Sequence, residues 1–381
     1  MSGDPHAIDG VATSIMLFIG GAADGPHGTA SRIGSFADYV RLFGGLDART
    51  LLGHSVMHFF ANGGTDAYVL RLTRDGGTDE AVLTPGSDEF HAALLSDKIF
   101  GAGGAVDAID LVNLVCIPGE SDPAALAIVQ AHCAQIRALL LIDADARASV
   151  ASLEAGIPAA FATDDAANAA MFFPWLRAPD PLQAGALGNF PPCGFVAGAL
   201  ARNDRSHGVW KAASGLDATL IGVAEPAVAF PESDQARLHG VGVNCIRKSP
   251  DERVILFGAR TLAGAHARQP EWQYIPVRRL ALFLERSIAR ETRWATFEPN
   301  NAALWAELRT RVGAFLLDLF NRGAFQGATP DKAFFVRCDL STTTQSDIAA
   351  GIVNILVGFA PLKPAEFVIL RIGQLAGGAR T

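Results

Sequence analysis

Residues 138–143 read ALLLID, with no polar side chain before the last position. Alternate residues of a strand point to opposite faces, so a strand apolar on both faces belongs in a sheet covered on both sides. The stretch IDLVNLVCIPG, residues 109–119, has the same character, and an Ala-rich segment over 122–137 separates the two. A further helix is expected near 146–155. Strand, helix, strand, helix in this order predicts an α/β layer built on a mostly parallel sheet.

The opening of the chain follows the same rhythm. SIMLFIGG (14–21) reads as a strand ended by glycine. Ser35 can cap a helix that carries Phe36, Tyr39, Val40 and Phe43 on one face and closes at Gly44-Gly45. A second helix over 51–61 stops at Asn62-Gly63-Gly64, DAYVLRLT (66–73) follows as a strand, and the Gly- and Asp-rich passage 75–86 reads as a surface excursion. In MFFPWLRAPDP and PPCGFVAGALARND prolines set turns and glycines permit close packing, with the α/β region ending near Arg260.

The last third changes style. Val277, Leu280, Phe283, Leu284 and Ile288 recur at helical spacing, and so do Leu304, Leu308, Val312, Phe315, Leu316 and Leu319 in a longer helix begun by Asn300 or Asn301 and ended by Gly323. AFFVRCD, IVNILVGF and EFVILRIG then read as three strands of an α+β module. In the last of them Phe367, Ile369 and Arg371 face one way and Val368, Leu370 and Ile372 the other, so one face is wholly apolar. Its partner lies earlier in this chain, with IVNILVGF as the hairpin candidate, or in another chain. Pro361 and Pro364 stiffen the approach and discourage a tight hairpin.

Composition narrows the function. Half of the 381 residues are apolar and 18% charged, which excludes a disordered chain. No apolar run approaches the ~20 residues that span a bilayer. MSGDPHAIDG does not read as a secretion signal, so residence in the cytosol is expected. Cys116, Cys133, Cys193, Cys245 and Cys338 contain no CxxC pair and read as buried hydrophobes. From Asp251 onward 16 Lys/Arg stand against 12 Asp/Glu, net +4, which leaves 15 against 27, net −12, before it. Such asymmetry points to partner-directed surfaces more than to nucleic acid.

No stretch supplies a complete catalytic set. His54 and His58 in HSVMH have zinc-ligand spacing, but the metalloprotease pattern needs Glu where Ser55 stands, so they read as a partly exposed helix face. FGAGGAVDAID (100–110) precedes its strand and lacks the GK[ST] of a phosphate loop. DGPHGTA (24–30) resembles the histidine block of subtilisin-like proteases, yet Ala30 replaces the second His and no Gly-Thr-Ser block follows. Trp210-Lys211 reads as a lysine stem covering an aromatic ring. Neither enzyme activity, cofactor nor metal is expected. Arg278, Arg279, Arg286, Arg290 and Arg293 form either a solvated face or an electrostatic docking surface.

The blocks GVATSIMLFIGGAADGP, SFADYVRLFGGLD, HFFANGGTDAYVLRL, DLVNLVCIPG, FFPWLRAPDP, PPCGFVAGALARNDRSHGVWKA, GVNCIRKSP, FGARTLAG, EWQYIPVRRLALFLERSI, WATFEPNN, FQGATPDKAFFVRCD and APLKPAEFVILRIGQ occur in the order found in contractile tail sheath proteins. Over nearly its whole length the chain resembles that family, which serves contractile phage tails, R-type pyocins and extracellular contractile injection systems. The resemblance implies α/β and α+β domains: an N-terminal α/β segment (1–90), a subtilisin-like sheath domain without protease chemistry (91–262), and a C-terminal sheath domain (263–381) that faces an inner tube. It implies that strand 365–374, with Phe367, Val368, Ile369, Leu370, Arg371 and Ile372, is donated to a neighbouring subunit. The implied partners are copies of the chain in a helical sheath, the inner tube protein, and baseplate and terminator proteins, without nucleic acid or membrane insertion. Such sheaths usually begin with an extra extended segment of the form PGVY[IV]EE. Only MSGDPHAIDG precedes Val11 here, so an N-terminal donor strand is expected to be missing. A soluble α/β hydrolase-like or ligand-binding protein is the competing reading, and it would keep the terminal strand at home.

Overall fold

The structure, a computed structural model, describes residues 7–74, 81–265, 269–362 and 368–377. Two compact units divide the chain. The larger holds 12–207 and 212–275, and the smaller holds the described parts of 1–11, 208–211 and 276–381.

The larger unit is built on eight strands: β1 (Met16–Gly20), β2 (Ser31–Ile33), β3 (Ala67–Arg71), β4 (Leu114–Cys116), β5 (Leu139–Asp143), β6 (Ala169–Phe173), and, beyond the small sheet described below, β10 (Val243–Lys248) and β11 (Val254–Phe257). Their order is β11-β10-β6-β5-β4-β1-β3-β2, parallel except for β2 on β3 and β11 on β10. β1 shows why the sequence reads as apolar throughout. Met16 and Phe18 enter one core layer, Leu17 and Ile19 the other, and all four are fully buried. The first layer packs against helices α1 (Phe36–Phe43), α2 (Leu52–Ala61) and α4 (Cys193–His207). The second packs against α3 (Pro123–Gln135).

Local signals set the boundaries. The Ser35 side chain accepts from the Asp38 N–H and Gly44 closes α1 at φ 81°. Asp122 accepts from the Ala125 N–H at 2.8 Å, with Pro123 opening α3. Close approach of α4 to α2 depends on glycine: a Cβ on Gly194 would lie 2.3 Å from the Ser55 carbonyl oxygen, and one on Gly198 2.5 Å from Phe59 O and Asn62 Cβ.

The boundary expected at 90/91 falls inside this unit, because β1 and β3 pair within the same sheet as β4 to β6. That pairing joins segments far apart in sequence, which a linear reading cannot see. A small antiparallel sheet, β8-β7-β9, from β7 (Leu176–Pro179), β8 (Leu187–Phe190) and β9 (Glu225–Pro226), stands where the sequence reads as turns set by proline.

The longest stretch of the smaller unit, from Pro276 on, pairs two helices with a three-stranded antiparallel sheet. The helices are α5 (Ile275–Glu291) and α6 (Ala302–Asn321). The strands, in order β12-β13-β14, are β12 (Phe334–Arg337), β13 (Ile352–Phe359) and β14 (Val368–Leu375). Asn301 caps α6 by accepting from Ala303 N–H and Leu304 N–H, and Gly323 follows the helix at φ 80°.

Candidate assembly interface

The terminal strand pairs with β13 in the free chain. Eight opposed pairs run from Ile352–Leu375 to Phe359–Val368. Val368, Leu370 and Ile372 turn into the core beside Val353, Ile355, Val357 and Phe359, all buried, while Ile369, Arg371 and Leu375 are exposed. The period-2 pattern in EFVILRIG therefore marks the buried face correctly. Phe367 and the link 363–366 lie outside the described residues.

The rest of the sheet is fixed from below. Phe325 packs 5.9 Å from the Phe334 ring and 5.8 Å from Phe359. Asn300 Nδ2 donates to Ile352 O at 2.9 Å and its Oδ1 accepts from Trp305 Nε1 at 2.8 Å, tying the start of α6 to the start of β13. On the opposite face Phe335 lies over Gly358, where a Cβ would stand 2.1 Å from the ring. β12 pairs on one side of β13, so the place that β14 occupies is the only remaining edge of that strand. The backbone edge of β14 that faces away from β13 is met, among the described residues, near its end only, where Leu375 O accepts from Thr296 Oγ1 at 3.3 Å and Gly377 N–H donates to Glu298 O at 2.9 Å.

Of the clustered arginines 278, 279, 286, 290 and 293, Arg279 is buried and Arg278 and Arg286 are half-buried. Arg290, 3.7 Å from Glu291, and Arg293 are exposed. Adjacent helical positions differ by about 100°, so the pair Arg278-Arg279 cannot share one face. The exposed basic surface is thus narrower than the sequence cluster.

The other predicted residues lie in the larger unit. His54 and His58 are buried, which corrects their reading as a partly exposed face: β8 and α4 arrive from distant sequence to cover them. His54 Nε2 sits 3.3 Å from Asp180 Oδ1, and the His58 ring stacks on Phe195 at 3.8 Å and meets Phe190 edge-on at 5.2 Å. Among the described residues no group of three His, Cys, Asp or Glu could hold a metal ion, and no helix is long and apolar enough to cross a membrane. The glycine-rich loops 24–30 and 100–110 come together, lining an open cavity of about 600 Å³ with Tyr68 and Lys98. All five cysteines are buried. Trp210 lies in the smaller unit, with the Arg322 guanidinium 5.3 Å from its ring centroid.

Two buried groups make stability depend on pH in opposite senses. Burial, and then the neighbouring His54, lower the His58 pKa to about 3. The unfolded chain takes up that proton below about pH 6.5 while the folded chain does not, so this contribution is present above 6.5 and shrinks as pH falls toward 3. Burial raises the Asp143 pKa to about 6 even though its carboxylate accepts from the N–H groups of Cys193 at 2.8 Å and Gly119 at 3.2 Å. The folded chain binds this proton first, so stability rises as pH falls from above 6 toward 4. His58→Phe, which keeps the stacking without the titration, is expected to gain about 2 kcal/mol relative to the parent between pH 7 and pH 5. Urea unfolding at the two pH values measures this, and an unchanged difference would contradict it.

Residues 267–374 match the family model of the phage tail sheath C-terminal domain. The helical sheath of the anti-feeding prophage in its contracted state is 28% identical to this chain, with a TM-score of 0.74 over 97% of this chain and 96% of that one. The contracted sheath complex of the extracellular contractile injection system PVC is also 28% identical, with a TM-score of 0.73 over 96% and 92%. The sheath tail protein of Listeria innocua shares the fold, at a TM-score of 0.68 and 9% identity over 97% and 96%. No curated protein sequence matches.

Proposed function

We infer that this chain is a contractile tail sheath protein, a structural subunit of the sheath of a phage tail or tail-like particle. The observation that carries this reading is agreement along almost the entire length of sheath chains, including chains of a contracted helical sheath. A hydrolase or ligand-binding reading has no comparable support.

The finer mechanism is our proposal. Copies polymerise helically around an inner tube, between a baseplate and a terminator, and are held in a metastable extended state by a barrier. Contraction repacks them as rigid bodies and drives the tube through a target envelope. No nucleotide or cofactor takes part. We read the larger unit as a subtilisin-like scaffold without protease chemistry. The smaller unit faces the tube, and the Arg278, Arg279, Arg286, Arg290 and Arg293 region, chiefly exposed Arg290 and Arg293, contributes the docking charge.

Strand donation then becomes an exchange. In the polymer, β14 of one copy takes the place on β13 that the neighbour's own β14 fills in the free subunit. The exchange retains the ladder and the burial of Val368, Leu370 and Ile372, each of the order of 1.5–3 kcal/mol, so little free energy separates the two pairings. The link from Phe359 to Val368 can extend to roughly 30 Å, and only its geometry distinguishes a strand kept from a strand given away.

Electron microscopy of particles made with residues 368–377 deleted tests the reading. We expect the deletion to lower the number of sheathed tubes at least 100-fold. Undiminished sheaths would refute donation, and absence of sheaths from the parent particles would refute the sheath assignment.

A further inference from the structure

We propose that the β7–β8 hairpin is an assembly contact that docks on a neighbouring copy of this chain; the inference rests on the sheath reading and adds an interface to it.

The hairpin is rigid at its root and uncharged at its tip. Asp180 N–H donates to Ala186 O at 2.8 Å, Asp180 O accepts from Gly185 N–H at 2.9 Å, and the Asp180 carboxylate accepts from Leu182 N–H at 2.9 Å. Ala184 and Gly185 turn the chain at φ 51° and 85°. Below the turn, Asp180 meets His54 and Phe190 stacks on the same histidine at 4.8 Å, so the root is clamped to α2. Beyond the root, every residue from 181 to 187 is exposed, including Leu182 at 45% and Leu187 at 41%.

Among the described residues no strand pairs with the outer edge of β8, and this edge is what a partner would meet. The Asp180–Ala186 bond fixes the alternation of the antiparallel pair, and the Arg177 carbonyl is taken by Ala224 N–H on the β9 side. Leu187 and Asn189 therefore turn their backbone N–H and C=O away from β7. Natural edges are usually guarded by charge, yet no Asp, Glu, Lys or Arg occurs from Pro181 to Ala201.

That lack of charge argues for a copy of this chain as the occupant. Residues 1–250 carry a net −12, so two such surfaces repel wherever acidic groups meet. An uncharged, apolar projection is where they can touch without that cost. In a helical lattice the contact is heterologous, so the hairpin need not be self-complementary.

The test places a photo-cross-linking benzoylphenylalanine at Leu187 in complete particles. The expected product runs at twice the 40.0 kDa subunit mass. A product of another mass would overturn the choice of occupant, and no product in intact sheaths would overturn the contact. A second variant, Leu182→Glu with Leu187→Glu, is expected to keep the parental melting temperature within about 2 °C while sheath yield falls about tenfold. Parental yield would overturn the proposal. If the parent itself builds no sheath, the sheath reading fails first and the inference falls with it.

Discussion

Subunits carrying Leu356→Cys and Arg371→Cys, oxidised before they meet tubes and baseplates, will remain folded monomers and build less than about 1% of the sheath that the reduced subunits build. The two positions are directly opposed across β13 and β14. The bond from Ala376 N–H to Gly351 O sets the alternation, which makes this a non-hydrogen-bonded pair with Cα atoms ~4.5 Å apart, inside the range a disulfide spans. Both side chains lie on the outer face, away from the core. The native cysteines are buried, so mild oxidation addresses the new pair. A locked β14 can neither leave its own β13 nor make room for a neighbour's, and reduction should restore assembly from the same sample. Oxidised subunits that assemble as well as reduced ones would eliminate strand exchange while leaving the sheath assignment intact.

The second large effect concerns stability. Gly194→Ala and Gly198→Ala place a methyl group 2.3–2.5 Å from atoms of α2, among them the backbone oxygens of Ser55 and Phe59. Neither oxygen can rotate aside, so the helices must separate and the core layer beneath Phe59 and Phe195 opens. A loss of about 3 kcal/mol each is expected, lowering the melting temperature by roughly 5–10 °C. Gly313→Ala is the control. A Cβ on this α6 glycine would meet nothing within 4 Å outside its own helix, so the change should stabilise by about 0.5–1 kcal/mol. Calorimetry of the three variants checks the sign as well as the size. Equal effects at Gly194 and Gly313 would mean that helix propensity, and not the close approach, decides the outcome.

What the sequence disclosed depended on how local its cause was. Caps at Ser35, Asp122 and Asn301 are satisfied within three residues; α1 begins where Ser35 predicts, and of the two candidates Asn300 and Asn301 it is Asn301 that caps α6. The buried strands β1, β3 and β5 are visible as continuous apolar runs because both faces are covered. In β14 the alternation identifies Val368, Leu370 and Ile372 as the buried face, but no periodicity specifies which strand lies beside them. The small sheet β8-β7-β9 escapes because its strands have two to four residues and pair across as many as 50 positions, amid prolines that read as turns. The reading of His54 and His58 fails for the same reason: a spacing of four tells which residues share a helix face, not what covers it. Arg279 is buried although its neighbour Arg278 is not, since one step along a helix is nearly a third of a turn.

The smaller unit is assembled from three separate stretches, and this limits how the protein can be cut. A fragment that starts at residue 267 or 276 loses Trp210, the ring beneath Arg322, and it loses Gly10, which lies against Phe283, and Val11, whose N–H donates to Ser287 Oγ at 3.1 Å. The tail-end module therefore cannot be transplanted between sheaths as one contiguous cassette. A working chimera must carry three matched pieces together, so recombination at a single crossover would separate residues that have to agree.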